Sequence, residues 1–389
     1  MRICLIYDRL YPIRIGGVER WMRDLGIRLA ERGHRVTYLT ECQWPAGDEP
    51  LSDRVEIVGL GSYRRDDPWG RRPVQPPVRF GLGVFRHLWR HGPRYEVVHT
   101  ASFPFFPLLA AAALRRRGGY RLVVDWHEVW TKAYWRSYAG PVVGRAGWLV
   151  QQACIRATQH ALCDSRLHAG RLQAQGFRGT ASLLRGLYGG PVTPGSAGTP
   201  EPIVVYAGRL TSHKRVPLLV HAFALLRESH PELRLDLYGD GPDRERVEQV
   251  VGELGLAERV RIHGQRGEDE VASALARAVC VATASEREGY GLIVAEASAR
   301  GTPSVVVAGP ENAALELVSD GVNGAVSPTS RPSDLAEAIA RLADSGAGLR
   351  ASTKLWFDAN AANLLLESSL PVVLDAYGAP SDPEGATAV

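Results

Sequence analysis

Short apolar runs alternate with stretches of helical spacing along most of this 389-residue chain. The first run, Met1 to Tyr7, leads to Gly16-Gly17 and then to Val18, Trp21, Met22, Leu25 and Leu29. That three-and-four spacing predicts a helix stopped at Gly33, with RVTYLT as the next strand. Further strands are predicted at Val55–Val58, Glu96–His99, Arg121–Val124 and Ala161–Cys163. In residues 203–309 the strands read IVVYAG, LRLDLYG, VRIHG, AVCVATA and PSVVVAG. Helices between them are expected at Val216 to Pro231, Arg244 to Leu254 and Leu292 to Arg300. Such alternation predicts an α/β protein with a doubly wound parallel sheet in each half. At residues 186–202 the composition shifts to GLYGGPVTPGSAGTPEP, which reads as a Gly/Pro-rich linker. The expected division is therefore 1–186, a linker over 187–202, a second domain over 203–355, a final helix over 356–377 that SSLP (Ser368 to Pro371) interrupts, and a flexible tail over 378–389.

With 45% hydrophobic and 23% charged residues the composition is that of an ordinary globular protein. The longest apolar stretch, Phe103 to Leu114, holds two prolines and is too short to span a bilayer. The N-terminus enters its first strand within two residues, so neither a signal peptide nor a membrane helix is expected. Five scattered cysteines with no CxxC pair read as thiols in a reducing compartment, which makes a cytoplasmic protein the expectation. Charge is unevenly spread. Residues 1–200 hold 29 Lys and Arg against 15 Asp and Glu, while residues 201–389 hold 17 against 27. The first half therefore favours a negative partner. Nucleic acid lacks any recognition motif here, leaving an anionic membrane surface at the inner face, a phosphorylated acceptor, or plain solubility. Arg72 to Arg94 is basic and interleaved with Phe80, Leu82, Val84, Phe85, Leu88 and Trp89, which suits either packing on its own sheet or a membrane interface.

The candidate chemistry gathers at predicted strand ends. In SEREGYGLIVAEASARG (Ser285 to Gly301), Glu288 precedes the turn Gly289-Tyr290-Gly291, and Glu296 follows eight positions later. A helix starting at Leu292 would present unpaired N–H groups to a phosphate, with Glu296 about one turn in, at a ribose's reach. The plain alternative is a core-facing helix with two solvated glutamates. Arg209 and Lys214 lie in the loop after the strand IVVYAG, and two cations five residues apart suit a diphosphate. Lysine occurs only three times in the chain, at 132, 214 and 354. Gly16-Gly17 repeats the glycine-before-helix pattern, for a phosphate or simply a tight turn. DWHEVW brings Asp125, His127 and Glu128 to another strand end, where His127 can donate a hydrogen bond or carry a proton. HEVWT lacks the second histidine of an HExxH site, so no metal is expected. GDGPDRE (Gly239 to Glu245) lacks the last glycine of a dinucleotide fingerprint and reads as a turn.

Taken together, Gly16-Gly17, GRLTSHKR (Gly208 to Arg215), LYGDGPDRERVEQVVGELGLAERVRIHG (Leu237 to Gly264), EGYGLIVAEASARGTPSV (Glu288 to Val305) and GPENAALELVSDGVNG (Gly309 to Gly324) resemble the retaining glycosyltransferases of family 4. The likeness runs over nearly the whole chain and is weakest over 60–120. It implies the GT-B fold: two Rossmann-like domains, a cleft between them, and a C-terminal helix crossing back to the N-terminal domain. It further implies transfer of a sugar from a nucleotide-diphosphate sugar, UDP- or GDP-linked, to a lipid-linked, glycan or small-molecule acceptor, without metal or other cofactor. By the same resemblance Arg209 and Lys214 hold the diphosphate, Glu296 the ribose, and Glu288 with Gly289, Tyr290, Gly291 and Leu292 the sugar and phosphates. Gly16, Gly17 and Gly208 line the donor, Arg266 the base, and His127 the reacting carbon; Tyr11, Asp125, Glu128 and Trp130 are the acceptor-side candidates. Asn312-Ala313 stands where many relatives carry Gly-Gly. The rivals are a sugar-nucleotide epimerase of the same fold and a non-catalytic binding protein.

Overall fold

The computed structural model describes residues 1–45, 50, 52, 54–61, 75–192 and 199–379. The start of the basic stretch at 72–74, the linker residues 193–198 and the tail from 380 lie outside the described residues. Two compact units are resolved, one running to Gly189 and resuming at Leu366, the other comprising Gly190–Leu365.

The first unit contains β1 (Arg2–Ile6), α1 (Gly17–Glu31), β2 (Arg35–Glu41), β3 (Val55–Leu60), α2 (Gln75–His91), β4 (Val97–Ala101), α3 (Phe105–Gly118), β5 (Arg121–Trp126), α4 (Lys132–Arg156), β6 (His160–Cys163), α5 (Arg166–Ala174) and β7 (Thr180–Leu183). Its sheet is parallel, in the order β3-β2-β1-β4-β5-β6-β7. The topology reverses between β1 and β4, which opens a crevice at their carboxyl ends. Every residue of β4 is buried, as a central parallel strand covered on both faces requires. Trp21, Met22, Leu25 and Leu29 carry the buried stripe of α1.

The second unit contains β8 (Glu201–Ala207), α6 (Val216–Ala224), β9 (Arg234–Tyr238), α7 (Arg244–Glu253), β10 (Val260–Gly264), α8 (Glu268–Arg277), β11 (Ala278–Ala282), α9 (Leu292–Ser298), β12 (Ser304–Val307), β13 (Gly324–Ser327) and α10 (Pro332–Asn360). Its order is β10-β9-β8-β11-β12-β13, with the reversal between β8 and β11. The core includes Val204, Leu219, Phe223, Leu235, Leu237, Val247, Cys280, Val305 and Ile339, all fully buried.

The single helix expected over 356–377 is in fact two pieces. Trp356–Asn360 end α10, which bends at Gly346 (φ 56°) and is bound to the second unit: Arg350 donates to the carbonyls of Ala278 (2.5 Å) and Ala276 (2.6 Å). A 3-10 turn follows at Ala361–Asn363, and α11 (Leu366–Tyr377) belongs to the first unit. The break falls before Leu366 because its N–H is taken by the carbonyl of Tyr188 (2.9 Å). Ser368 to Pro371, expected to interrupt the helix, lies inside α11, whose burial of Leu366, Ser369, Leu370, Val373 and Tyr377 keeps the helical period. Two edge strands went unpredicted: β7 and β13 have four residues each and little apolar character. No helix among the described residues is long and apolar enough to cross a membrane. All five cysteines are free, and all but the half-buried Cys42 are buried.

Candidate functional site

In the second unit the loops after β8 and β11 leave neighbouring strands at the sheet's reversal. Lys214 closes a 3-10 turn, Ser212–Lys214, and its Nζ lies 2.6 Å from Glu288 Oε1. The loops are tied again where the Glu286 N–H donates to the carbonyl of His213 (2.8 Å) and Arg215 pairs with Glu286 (2.8 Å). Arg209 is exposed, and its carbonyl accepts the Tyr206 hydroxyl at 2.8 Å. Gly208 donates to the Tyr238 carbonyl at 2.9 Å. A side chain on Gly239 (φ 136°) would collide with the Gly208 carbonyl, so the glycine after β9 sets the path of the loop after β8.

His213 reports the local field. Burial, then the positive charges of Arg287, Lys214 and Arg209, push its pKa down to about 2, so the imidazole stays neutral. Four cations, counting Arg215, thus gather at one strand end, and Arg287 was not singled out in the sequence. The signal was present, since Arg287 directly precedes Glu288.

Glu288 is fixed by its backbone: its N–H donates to Glu311 (3.1 Å) and its carbonyl accepts from Ala313 (3.0 Å). Asn312 braces that loop, donating to the Val307 carbonyl (2.9 Å) and accepting from the Ala314 N–H (3.1 Å). The residue standing in for a glycine is therefore a structural clamp. Gly291 has φ 96°, and a Cβ there would lie 2.5 Å from Ala314 Cβ, so only glycine fits before Leu292. Gly289 and Leu292 are half-buried; Tyr290 and Glu296 are buried, Glu296 as the fifth residue of α9. The helix expected to Arg300 ends at Ser298 and finishes in turns. Arg266 lies after β10, two strands from β8, beside Glu270 (3.5 Å); the structure does not bring it to Lys214.

In the first unit Gly16 caps α1 and Gly17 is its first residue, and the Glu19 carboxylate folds back to where a Gly16 side chain would stand. Tyr11 lies under the Arg23 guanidinium, 4.0 Å from its ring centre. Asp125, at the end of β5, is fully buried. It accepts from Trp21 Nε1 (2.7 Å) and sits 2.8 Å from His99 Nε2, while His99 Nδ1 meets the Tyr377 hydroxyl at 2.7 Å. Burial alone would raise its pKa, but His99, His127 and Trp21 hold it below the usual carboxylate range. Asp125 is thus tied to Trp21 and His99 on both sides. Glu128 accepts the Trp130 indole N–H (2.7 Å), and the Trp130 backbone N–H donates to Gln151 (3.2 Å).

His127 is held differently. Its Nδ1 lies 2.5 Å from Asp164 Oδ2, at the end of the neighbouring strand β6, and its occluded Nε2 has no hydrogen-bond partner among the described residues. Burial is the largest single influence and would lower its pKa, but the charge and hydrogen bond of Asp164, with the charges of Asp125 and Glu128, together raise it to about 9. The imidazole is therefore oriented and charged at neutral pH, with its second N–H buried and unpaired among the described residues. Asp164 was missed in the sequence, although it directly follows the apolar run Ala161–Cys163. Among the described residues, no group of three His, Cys, Asp or Glu side chains is placed to hold a metal ion.

Two family models match consecutive parts of the chain: "Glycosyltransferase Family 4" over residues 15–181 and "Glycosyl transferases group 1" over 195–354. The chain is 29% identical over 391 residues to an MMP alpha-(1->4)-mannosyltransferase of Mycolicibacterium hassiacum, covering 90% of this chain and 91% of the relative. Among solved structures it is similar to a sucrose-phosphate synthase from Thermosynechococcus elongatus (TM-score 0.80, 22% identity, 97% and 98% of the two chains covered). It is also similar to Anabaena Alr3699/HepE in complex with UDP and glucose (TM-score 0.70, 17% identity, 97% and 100% covered).

Proposed function

Because the chain belongs to glycosyltransferase family 4 and has the GT-B fold, we propose that it moves a sugar from a nucleotide-diphosphate sugar to an acceptor with retention at the anomeric carbon and without a metal ion. The observation that carries this reading is the meeting of Lys214 and Glu288 at the reversal of the second sheet, beside a buried His213 whose pKa burial and then the positive charges of Arg287, Lys214 and Arg209 push down. Arg209 and Lys214 hold the diphosphate and neutralise the charge that grows on it as the bond from the anomeric carbon to the phosphate oxygen breaks. Without donor, Glu288 keeps the Lys214 ammonium oriented; with donor, the phosphate shares that ammonium and Glu288 turns to the sugar hydroxyls. Glu296 takes the ribose, and the Gly289 to Leu292 backbone the phosphates. The new bond joins the acceptor oxygen to the anomeric carbon, and the acceptor proton passes to the leaving phosphate. His127 donates to an oxygen near the reacting carbon. The UDP in the Anabaena relative supports a UDP-sugar over a GDP-sugar, and the free thiols support a cytoplasmic setting.

The test is thermal-shift titration with UDP- and GDP-sugars, followed by turnover. A bound donor raises the melting temperature by mass action. Lys214→Ala should lower turnover by at least about an order of magnitude, and Glu296→Ala should mainly weaken nucleotide binding. Near-normal turnover in Lys214→Ala would sink the diphosphate assignment.

A further inference from the structure

One face of the first unit is left over by packing. Helix α2 buries Phe80, Val84 and Leu88 almost completely and sets Gly81 against Phe106 of α3. With that core face satisfied, the outer face still carries Leu82, Phe85 and Trp89, exposed by 53%, 36% and 49%. Their spacing places them in a line about 10 Å long on one side of the helix. Arg79, Arg86 and Arg90 run along one side of the line, all exposed, and α2 contains no Asp or Glu. Among the described residues no carboxylate pairs with these three arginines. The Phe85 and Trp89 rings stack at 6.0 Å, and Arg117, from the Arg115-Arg116-Arg117 end of α3, lies 4.0 Å over the Trp89 ring.

We propose that this outer face of α2 docks on an anionic lipid bilayer. Large apolar groups in a row with guanidinium groups along one side match the interface of such a bilayer, where tryptophan sits at headgroup level and arginine meets lipid phosphates. Arginine stems cover apolar surface while their heads stay in the polar layer, so both residue types are used at one depth. A polynucleotide would use the arginines but leave the apolar line in water. The helix lies in the interface and does not cross the bilayer, since no described helix is long and apolar enough to cross. The surface stands on its own residues and does not depend on the sugar-transfer reading.

The test is co-sedimentation of the full chain with vesicles of phosphatidylcholine alone or mixed equally with phosphatidylglycerol. The wild type is expected to bind the mixed vesicles at least about ten-fold more tightly, with binding weakened by salt. Both L82S/F85S/W89S and R79Q/R86Q/R90Q should lose at least about ten-fold, given roughly five-fold per arginine charge near such a surface. All six side chains lie on the outer face and none belongs to the core, so both variants should stay folded, shown by a cooperative melting transition, and keep the UDP response. Absence of wild-type binding, indifference to phosphatidylglycerol, or either variant binding like the wild type would overturn the proposal. So would retention on a polynucleotide matrix without vesicle binding.

Discussion

The His127–Asp164 pair makes the sharpest claim about single residues. A histidine whose pKa is raised on folding, here from 6.5 to about 9, adds stability that is fully present below its unfolded value and is lost as pH rises through the folded one. The wild type should therefore lead Asp164→Asn in melting temperature by its largest margin near pH 6.5, and the margin should shrink as pH passes 9. Melting curves of both proteins across that range check this; a constant margin would mean that Asp164 acts by packing rather than charge. His127 was legible because it stands in a polar cluster directly after an apolar run. Its partner, 37 residues away in sequence, was not, because only the β5–β6 pairing brings the two strand ends together.

For elements, the sheets were legible wherever a strand is central and apolar, and illegible where it is short and at an edge, as with β7 and β13. Helix ends were less legible than helix starts. The helix predicted from Val216 to Pro231 stops at Ala224, after which Leu225, Leu226 and Arg227 bond three residues back instead of four. Between elements, backbone touches backbone at Gly239, where a methyl group would meet the Gly208 carbonyl and the backbone angle already disfavours any other residue. Gly239→Ala should cost at least about 2 kcal/mol in urea unfolding and also weaken the UDP response, because the Gly208–Lys214 loop must shift. Unchanged values for both would show that the loop is set elsewhere.

At the scale of the whole molecule, the charge asymmetry was open to inspection, but the linker expected over 187–202 begins with the buried Leu187 and Tyr188 of the first unit and ends inside β8, and the placement of the last helix depends on long-range bonds that no local pattern carries. Ser369 Oγ accepts from the Gly186 N–H (2.9 Å) and donates to its carbonyl (2.7 Å), joining positions 183 apart. Ser369→Ala leaves both buried backbone groups unpaired and should cost roughly 1–3 kcal/mol of first-unit stability. Equilibrium unfolding checks the loss, and the nucleotide-induced shift, which belongs to the second unit, should persist.

The return of α11 to the first unit has a consequence for biogenesis. Synthesis proceeds from the amino end, so the second unit, continuous in sequence, has all its parts before the first unit has its own. Until Leu366–Tyr377 emerge, His99 lacks its tyrosine and Gly186 its serine, and an earlier part of the nascent chain must wait for a later one. A ribosome that stops short of Leu366 would release a complete second unit joined to a first unit that lacks α11. Completion of the first unit thus waits on translation past Tyr377.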